Sequence, residues 1–159
     1  MTSLPFPKTD ERRPPLPRSA SQRHQDQLTH DIDVWVASAS AYGAPYLVPL
    51  PFDWDGEALL VATPTNSPTG RNLAATRAVR LGLGRTRDVS MIDGEVEVLE
   101  IDALPQQQAD RFTARTGFAP RALGTPYRRF RISPRRIPAW REGNEIPERE
   151  LMRDGRWSA

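Results

Sequence analysis

The sequence predicts a mainly β domain with a few appended helices, arranged as an antiparallel barrel or sandwich. Six or seven short strand patterns follow one another closely along the 159 residues, with turn signals such as Asp55-Gly56 and Asp154-Gly155 between them. Short strands at close spacing are typical of antiparallel barrels and sandwiches. The regular alternation of strand and helix that builds a parallel sheet is missing. The length suits one domain with its own hydrophobic core.

The N-terminal part divides into a tail, a helix and a strand. Residues 1–18 hold five of the sixteen prolines and few large apolar side chains, which predicts a disordered Pro/Arg-rich tail. Residues 19–30 are polar and compatible with a short surface helix. Residues 33–40 alternate between apolar and polar side chains, which predicts the first strand.

The second predicted strand, residues 46–52, has an edge that cannot bond to a neighbour along its whole length. Pro49 and Pro51 stand two apart, so their missing N–H groups lie on the same edge. We expect that edge to face a ligand, a bulge or a subunit boundary.

A strand–turn–helix–strand unit follows. Residues 58–63 are an apolar run without alternation, which indicates a strand covered on both faces. Ser67 before Pro68 is typical of a helix start, with a hydroxyl at the N-cap and proline at the first helical position. The helix is expected to end at Arg77, and residues 79–83 alternate as a half-buried strand.

The C-terminal half adds strands and one further helix. Pro105 and Gly117 bound a helix over residues 105–116. Two turn signals, Asp93-Gly94 and Ser133-Pro134, predict that two longer stretches are each divided into two short strands. Those stretches are residues 88–101 and 127–140.

The composition excludes several kinds of site. The chain has no cysteine, so disulfides, thiol nucleophiles and zinc–thiolate sites are ruled out. Its only histidines are His24 and His30, so neither a histidine-based metal site nor a Ser-His-Asp triad is expected. No apolar run is long enough to span a bilayer, and no apolar segment marks secretion. We therefore expect a cytoplasmic protein without a membrane partner.

The positive charge is small overall but unevenly distributed. The net charge is +2, whereas residues 111–141 hold nine arginines and no acidic residue. One hypothesis is a nucleic-acid binder whose aromatic side chains in this stretch stack bases. We favour a solvated arginine-rich face and expect no nucleic-acid partner, because a net charge of +2 attracts nucleic acid only weakly.

The helix start at Ser67 is the best candidate for a binding site. The N–H groups of Thr69, Gly70 and Arg71 and the positive end of the helix dipole favour an anion there. Ser67, Thr69 and Thr63 add hydroxyls, and Arg71 adds a guanidinium fork. A phosphate group fits this set of donors. The alternative is that Ser67 only caps the helix and Arg71 only faces water, since most N-caps bind nothing.

Three segments in this order resemble the pyridoxamine 5′-phosphate oxidase-like family, the flavin-binding split barrels that include deazaflavin-dependent reductases. The segments are GAPYLVP at residues 43–49, SPTGRNL at residues 67–73 and DGEV at residues 93–96. The resemblance covers roughly residues 30–157. It implies a six-stranded antiparallel split β-barrel, a flavin-binding domain over residues 19–159, and a homodimer with FMN at the interface.

The resemblance also implies which residues hold the flavin. The strand of Leu47, Val48, Pro49 and Leu50 lies along the isoalloxazine ring, and Ala62 and Thr63 close the ribityl side. The phosphate is bound by Ser67, Thr69, Gly70, Arg71 and Asn72, and the partner chain adds Trp140 and Arg149. Many family members have a basic residue where this chain has Pro68 or Thr69. The phosphate charge is then left to Arg71, Arg85 or Arg87, or to backbone amides alone.

The function implied is an FMN-dependent oxidoreductase that transfers a hydride to an unidentified small molecule. One alternative is a reductase that uses the deazaflavin coenzyme F420, and another is a non-enzymatic flavin- or heme-binding protein. No catalytic residue is identified. Tyr42, Tyr46 and Tyr127 offer phenolic protons, but buried tyrosines more often serve packing.

Overall fold

The structure, a computed structural model, describes residues 19–141 and 143–158, so the predicted tail over residues 1–18 lies outside the described residues. Eight strands are seen in these ranges: β1 (Asp33–Ala39), β2 (Pro45–Trp54), β3 (Leu59–Pro64), β4 (Ala78–Arg85), β5 (Asp88–Glu100), β6 (Tyr127–Trp140), β7 (Glu150–Arg153) and β8 (Arg156–Trp157). The α-helices are α1 (Ala20–His30), α2 (Pro68–Thr76) and α3 (Gln106–Thr116). Short 3-10 helices cover Pro120–Ala122 and Gly143–Glu148.

Six antiparallel strands close into a barrel. The strand order is β3-β2-β1-β4-β5-β6, and β3 also pairs with β6, which completes the ring. The strands β7 and β8 extend the sheet beyond β6. Aliphatic and phenylalanine side chains on the inner faces of the strands fill the barrel, among them Val34, Val36, Phe52, Leu81 and Ile132. This architecture confirms the predicted mainly β split barrel with appended helices.

The strand β3 is covered on both faces, as its unbroken apolar run predicts. Leu59 and Val61 face the barrel core, whereas Leu60 and Ala62 face outward beneath α3. Phe112 of α3, which is fully buried, packs in this outer cluster. The helix α3 therefore closes the outside of the barrel at β3.

The helix α1 begins with a reciprocal cap between the side chains and backbones of Ser19 and Gln22. Its prediction as a surface helix is only partly right, because His24 and Leu28 are both fully buried. None of the helices in the described ranges is long and apolar enough to cross a membrane.

The two turns predicted at Asp93-Gly94 and Ser133-Pro134 are wrong, since β5 and β6 each run on without interruption. Gly94 pairs with Pro134, and the register shifts between Asp93 and Gly94. A β-bulge tolerates proline because the ladder is already broken there. A side chain has no room at position 94, since a Cβ there would lie 2.5 Å from Ile132 Cγ2.

The strand β2 has the incompletely paired edge that its prolines predict. Phe52 donates its N–H to the carbonyl of Ile32 at 2.9 Å on the β1 side. Because successive residues alternate, the nitrogens of Pro51 and Pro49 face the other edge. On that edge β3 pairs only with residues 52–54. The edge of β2 before residue 52 is therefore open.

Candidate functional site

The start of α2 is capped as the sequence predicts. Ser67 Oγ accepts the N–H of Gly70 at 3.0 Å and donates to the carbonyl of Pro64 at 2.8 Å. The N–H of Arg71 donates to the carbonyl of Ser67 at 2.9 Å. Two of the three amides predicted to be free for an anion are thus used within the chain, because the serine cap and the first helical turn take them. Only the Thr69 N–H has no partner among the described residues.

Gly70 allows α2 to begin directly against the end of β3. A Cβ on Gly70 would lie 2.4 Å from the carbonyl oxygen of Pro64 and 3.0 Å from that of Thr65. Both contacts are with backbone atoms, so no rotamer change relieves them. A glycine at this position therefore fixes the tight approach of the helix to the strand.

Three hydroxyls gather beside this turn, and one of them has no partner. Thr63 Oγ1 lies 3.2 Å from Ser67 Oγ. Thr69 is 1% exposed, and its Oγ1 has no hydrogen-bond partner within the described part of the chain. A buried hydroxyl without a partner costs about 1–3 kcal/mol. An added acceptor or donor at this point would remove that cost.

Asn72 and Ala62 are held by the protein itself. The Asn72 side chain is buried, and its Nδ2 donates to Ser38 Oγ of β1 at 3.1 Å, which ties α2 to the barrel. Ala62 is 2% exposed because α3 covers it. The structure therefore gives both side chains partners within the chain.

Two arginines on different elements lie near the start of α2. Arg71 is exposed and donates from Nη1 to the carbonyl of Asn66 at 2.7 Å, so its guanidinium folds back over the turn. Arg128 of β6 stands directly opposite Thr63 of β3, a pairing that brings Cβ atoms within about 5.5 Å. Arg128 also forms an ion pair with Glu100, 3.1 Å from Nε to Oε1. Sequence reasoning missed Arg128 because only the strand register brings it here.

Arg85 and Arg87 do not help at this site within one chain. Both line a separate cavity beside α1, together with Gln27 and Asp88. The expectation that they meet a phosphate at α2 is therefore wrong for a single chain, because the β4–β5 turn carries them to α1.

The strand predicted to lie along a flavin ring presents both side chains and backbone. Leu47 is 59% exposed and Pro49 is exposed, whereas Val48 and Leu50 pack against the core. By the same alternation that places the proline nitrogens, the N–H of Leu47 and the carbonyls of Leu47 and Pro49 face the open edge of β2. This edge offers a planar ligand one donor and two acceptors.

Trp140 and Arg149 contact each other but lie far from α2 along the chain. The guanidinium carbon of Arg149 is 5.1 Å from the centroid of the Trp140 ring. Tyr127 pairs with Pro64 just before α2, and Trp140 ends the same strand thirteen residues later. Thirteen residues of strand extend roughly 40 Å along the chain. Trp140 and Arg149 therefore lie near the end of β6 that is opposite to α2.

The three tyrosines have no partner at the α2 start. Tyr42 is fully exposed in the turn between β1 and β2, and Tyr46 is 40% exposed near the start of β2. Tyr127 packs against Phe118, with 5.5 Å between ring centroids. None of these positions indicates a proton-transfer role.

An apolar face lies on the outside of β2, β1, β4 and β5. Trp35 is 51% exposed at its centre, opposite Pro49 on one side and Gly82 on the other. A groove of about 330 Å³ runs over this face, and Leu47 and Met91 line it. Exposed apolar surface of this kind marks interaction sites.

Most of the arginines in residues 111–141 are paired with carboxylates. Seven of the nine form ion pairs: Arg111, Arg115, Arg121, Arg128, Arg131, Arg135 and Arg136. Their partners come from other elements of the same fold. These pairs neutralise much of the charge that a nucleic-acid surface would need.

The chain is similar to one protein family by sequence and to several solved structures by fold. A family model described as pyridoxamine 5′-phosphate oxidase matches residues 20–141. No curated protein matches the chain. An F420 reductase structure is 19% identical with a TM-score of 0.55, covering 71% of this chain and 94% of its own. An FAD-binding protein from Mesorhizobium loti is 21% identical with a TM-score of 0.60, covering 76% and 90%.

A third similar structure is the heme storage protein HutZ from Vibrio cholerae. It is 16% identical with a TM-score of 0.57, covering 86% of this chain and 95% of its own. At these identities the three structures show a shared fold and leave the ligand open.

Proposed function

Because the chain belongs to the pyridoxamine 5′-phosphate oxidase family, we propose that it binds FMN at the start of α2 and acts as a flavin-dependent oxidoreductase on a small molecule. The observation that carries this proposal is the buried, unpartnered hydroxyl of Thr69 at a helix start that Arg71 overhangs. A phosphate there would satisfy the hydroxyl and pair with the guanidinium.

The charge available for the phosphate is modest. With two of the predicted amides already bonded, the phosphate relies on the Thr69 N–H and hydroxyl, on Arg71, and at longer range on Arg128. Each charge-assisted hydrogen bond contributes about 1.5–3 kcal/mol. Arg71 is exposed and bonds only a carbonyl, so it is free to swing onto an anion.

The open edge of β2 suits the flavin ring. Before residue 52, where the prolines lie, that edge does not pair with β3. The backbone groups of Leu47 and Pro49 are thus left for the polar edge of the isoalloxazine. Bound FMN supplies the hydride-transfer chemistry. The chain positions the ring, holds its phosphate and limits access of water.

We propose that two chains pair through the apolar face around Trp35 and Leu47. In such a homodimer the partner's Trp140 and the partner's Arg149 would approach the flavin, since one chain keeps them distant from its own α2. The exposed apolar groove on this face supports the pairing. Leu47 then belongs to both the interface and the ring site.

The test is a set of binding titrations with FMN on the wild type, Thr69→Val and Arg71→Gln. Thr69→Val keeps the shape and removes an unsatisfied hydroxyl, so the apoprotein should become slightly more stable while FMN affinity falls about ten- to a hundred-fold. Arg71→Gln should lose affinity without a change in stability. Arg135→Gln, a substitution on the outside of β6, should bind as the wild type does.

Two outcomes contradict the proposal: no measurable FMN affinity in the wild type, or equal affinity in all four proteins. Mass spectrometry of the ligand released from purified protein separates FMN from the alternatives. A deazaflavin would point to an F420-dependent reductase. FMN that no nicotinamide or deazaflavin donor reduces would point to a non-enzymatic flavin-binding protein, and a released heme to a heme-binding protein.

A further inference from the structure

A cavity of about 410 Å³ lies between α3 and the segment at residues 119–122. Its lining includes Gln106, Asp110, Thr113, Arg121 and Arg129. None of the residues at the α2 start lines it, so it is separate from the proposed flavin site. Its volume falls in the range of about 300–1,000 Å³ that is usual for small-molecule sites.

Arg129 in this cavity is a buried cation without a counter-ion. It is 1% exposed, and its Nε and Nη1 have no hydrogen-bond partner among the described residues. No ion pair to a described carboxylate is seen. Its guanidinium carbon lies 5.4 Å from the centroid of the Phe112 ring. Long charged side chains are almost never fully buried unless they are paired.

The fold holds Arg129 in this position. On β6 it pairs with Ala62 of β3 and with Leu99 of β5, so it faces outward beneath α3. Apolar side chains of Ala62, Leu99 and Phe112 lie beside it, and a leucine or methionine there would bury no unpaired charge. The arginine is therefore not explained by packing.

A second cation lies at the same cavity. Arg121 is anchored there by Nη1, which donates to Gln106 Oε1 at 2.7 Å, and its Nε is 3.3 Å from Asp102 Oδ1. Burial, and then the charge of Arg121, lower the pKa of Arg129. Two arginines and one carboxylate, that of Asp110, thus line the cavity, and no ion pair joins Arg129 to a described carboxylate.

We propose that this cavity binds the phosphate or carboxylate group of a small organic molecule, with Arg129 as the anchor and Arg121 at the rim. A guanidinium fork suits both groups. The cavity is larger than a bare phosphate ion, so the rest of the molecule has room against α3. One group opposes the anion: Asp110 lines the cavity, and Gln106 Nε2 donates to its Oδ1 at 2.7 Å.

The experiment is a calorimetric titration of the full chain with inorganic phosphate and with acetate, at constant ionic strength set with chloride. Arg129→Met should weaken binding of the preferred anion roughly ten- to a hundred-fold. Arg121→Gln should weaken it less. Asp110→Asn should strengthen binding several-fold, because it removes a like charge from the cavity. Arg135→Gln, a substitution outside both proposed sites, should bind this anion as the wild type does.

Thermal unfolding without added anion separates a binding role from a structural one. An anion site predicts that Arg129→Met is at least as stable as the wild type, since an unpaired buried charge is removed. Should Arg129→Met fail to fold, Arg121→Gln and Asp110→Asn still carry the test through their opposite effects. A preference for phosphate or for acetate identifies the group.

Three results would overturn the proposal: a wild type that binds neither anion, an Arg129→Met variant that binds as the wild type does, or an Asp110→Asn variant that is destabilised while its anion binding is unchanged. The last result would mean that Asp110 is the counter-ion of Arg129 in solution.

Discussion

His24 makes the stability of the barrel depend on pH. The side chain is fully buried in α1, and neither ring nitrogen has a partner among the described residues. The ring of Trp157 in β8 lies 6.0 Å away between centroids. Burial lowers the pKa of His24 from 6.5 to about 4. We predict that His24→Leu removes most of the loss of stability between these two pH values.

The sign follows from which state binds the proton. Below pH 6.5 the unfolded chain protonates His24, whereas the folded chain keeps the ring neutral until about pH 4. The unfolded state therefore binds more protons in this window, and the free energy of unfolding falls as the pH falls. At about 1.36 kcal/mol per pH unit, the loss attributable to His24 is about 3 kcal/mol. That is a large fraction of the about 5–15 kcal/mol of a typical domain.

Urea unfolding at several pH values between 7 and 4 measures this loss in the wild type, His24→Leu and His30→Gln. His30 is the matched control, because it is exposed in the same helix. His30→Gln should follow the wild type, while His24→Leu should fall less steeply and be at least as stable at pH 7, where no hydrogen bond is lost. Parallel curves for the wild type and His24→Leu would refute the reasoning.

Two further predictions concern the helix start and the apolar face. Gly70→Ala places a methyl 2.4 Å from the carbonyl oxygen of Pro64, so thermal unfolding should show a loss of about 1–3 kcal/mol, together with weaker FMN binding. Gly124→Ala, where a Cβ meets nothing within 4 Å, should change stability by less than about 0.5 kcal/mol, and an equal loss in both variants would contradict this account. Trp35→Arg should turn the proposed dimer into a monomer by light scattering with an unchanged circular dichroism spectrum. A Trp35→Arg variant that remains a dimer would show that the interface does not lie on this face.

Local sequence signals predict the elements well where one rule acts alone. The cap at Ser67, the incompletely paired edge at Pro49 and Pro51, and the two-faced burial of β3 all follow from residue type and spacing. Each of these features depends on the chemistry of one or two neighbouring residues, so tertiary contacts do not alter the prediction.

The wrong turn at Ser133-Pro134 shows where a local rule loses to the fold. Proline normally ends a central strand, but here it falls opposite Gly94 at a β-bulge, where the ladder is already interrupted. Sequence spacing alone does not reveal the register of two distant strands. The same limit hides the pairing of Thr63 with Arg128.

Burial of polar residues is the other feature that spacing does not reveal. His24 and Arg129 both read as surface residues in polar or arginine-rich stretches, yet both are almost completely buried. The sequence shows their type but not the elements that pack against them, β8 for His24 and α3 for Arg129. The free amides expected at Gly70 and Arg71 fail for a related reason, since the cap that predicts the site also uses them.

The most direct test of the flavin proposal compares the affinities of FMN and riboflavin, which differ only by the phosphate. If the start of α2 holds that phosphate, the wild type binds FMN at least about ten-fold more tightly than riboflavin. Arg71→Gln and Thr69→Val should then bring the two affinities together. Equal affinities in the wild type, or a preference for FMN that both variants retain, would contradict the account.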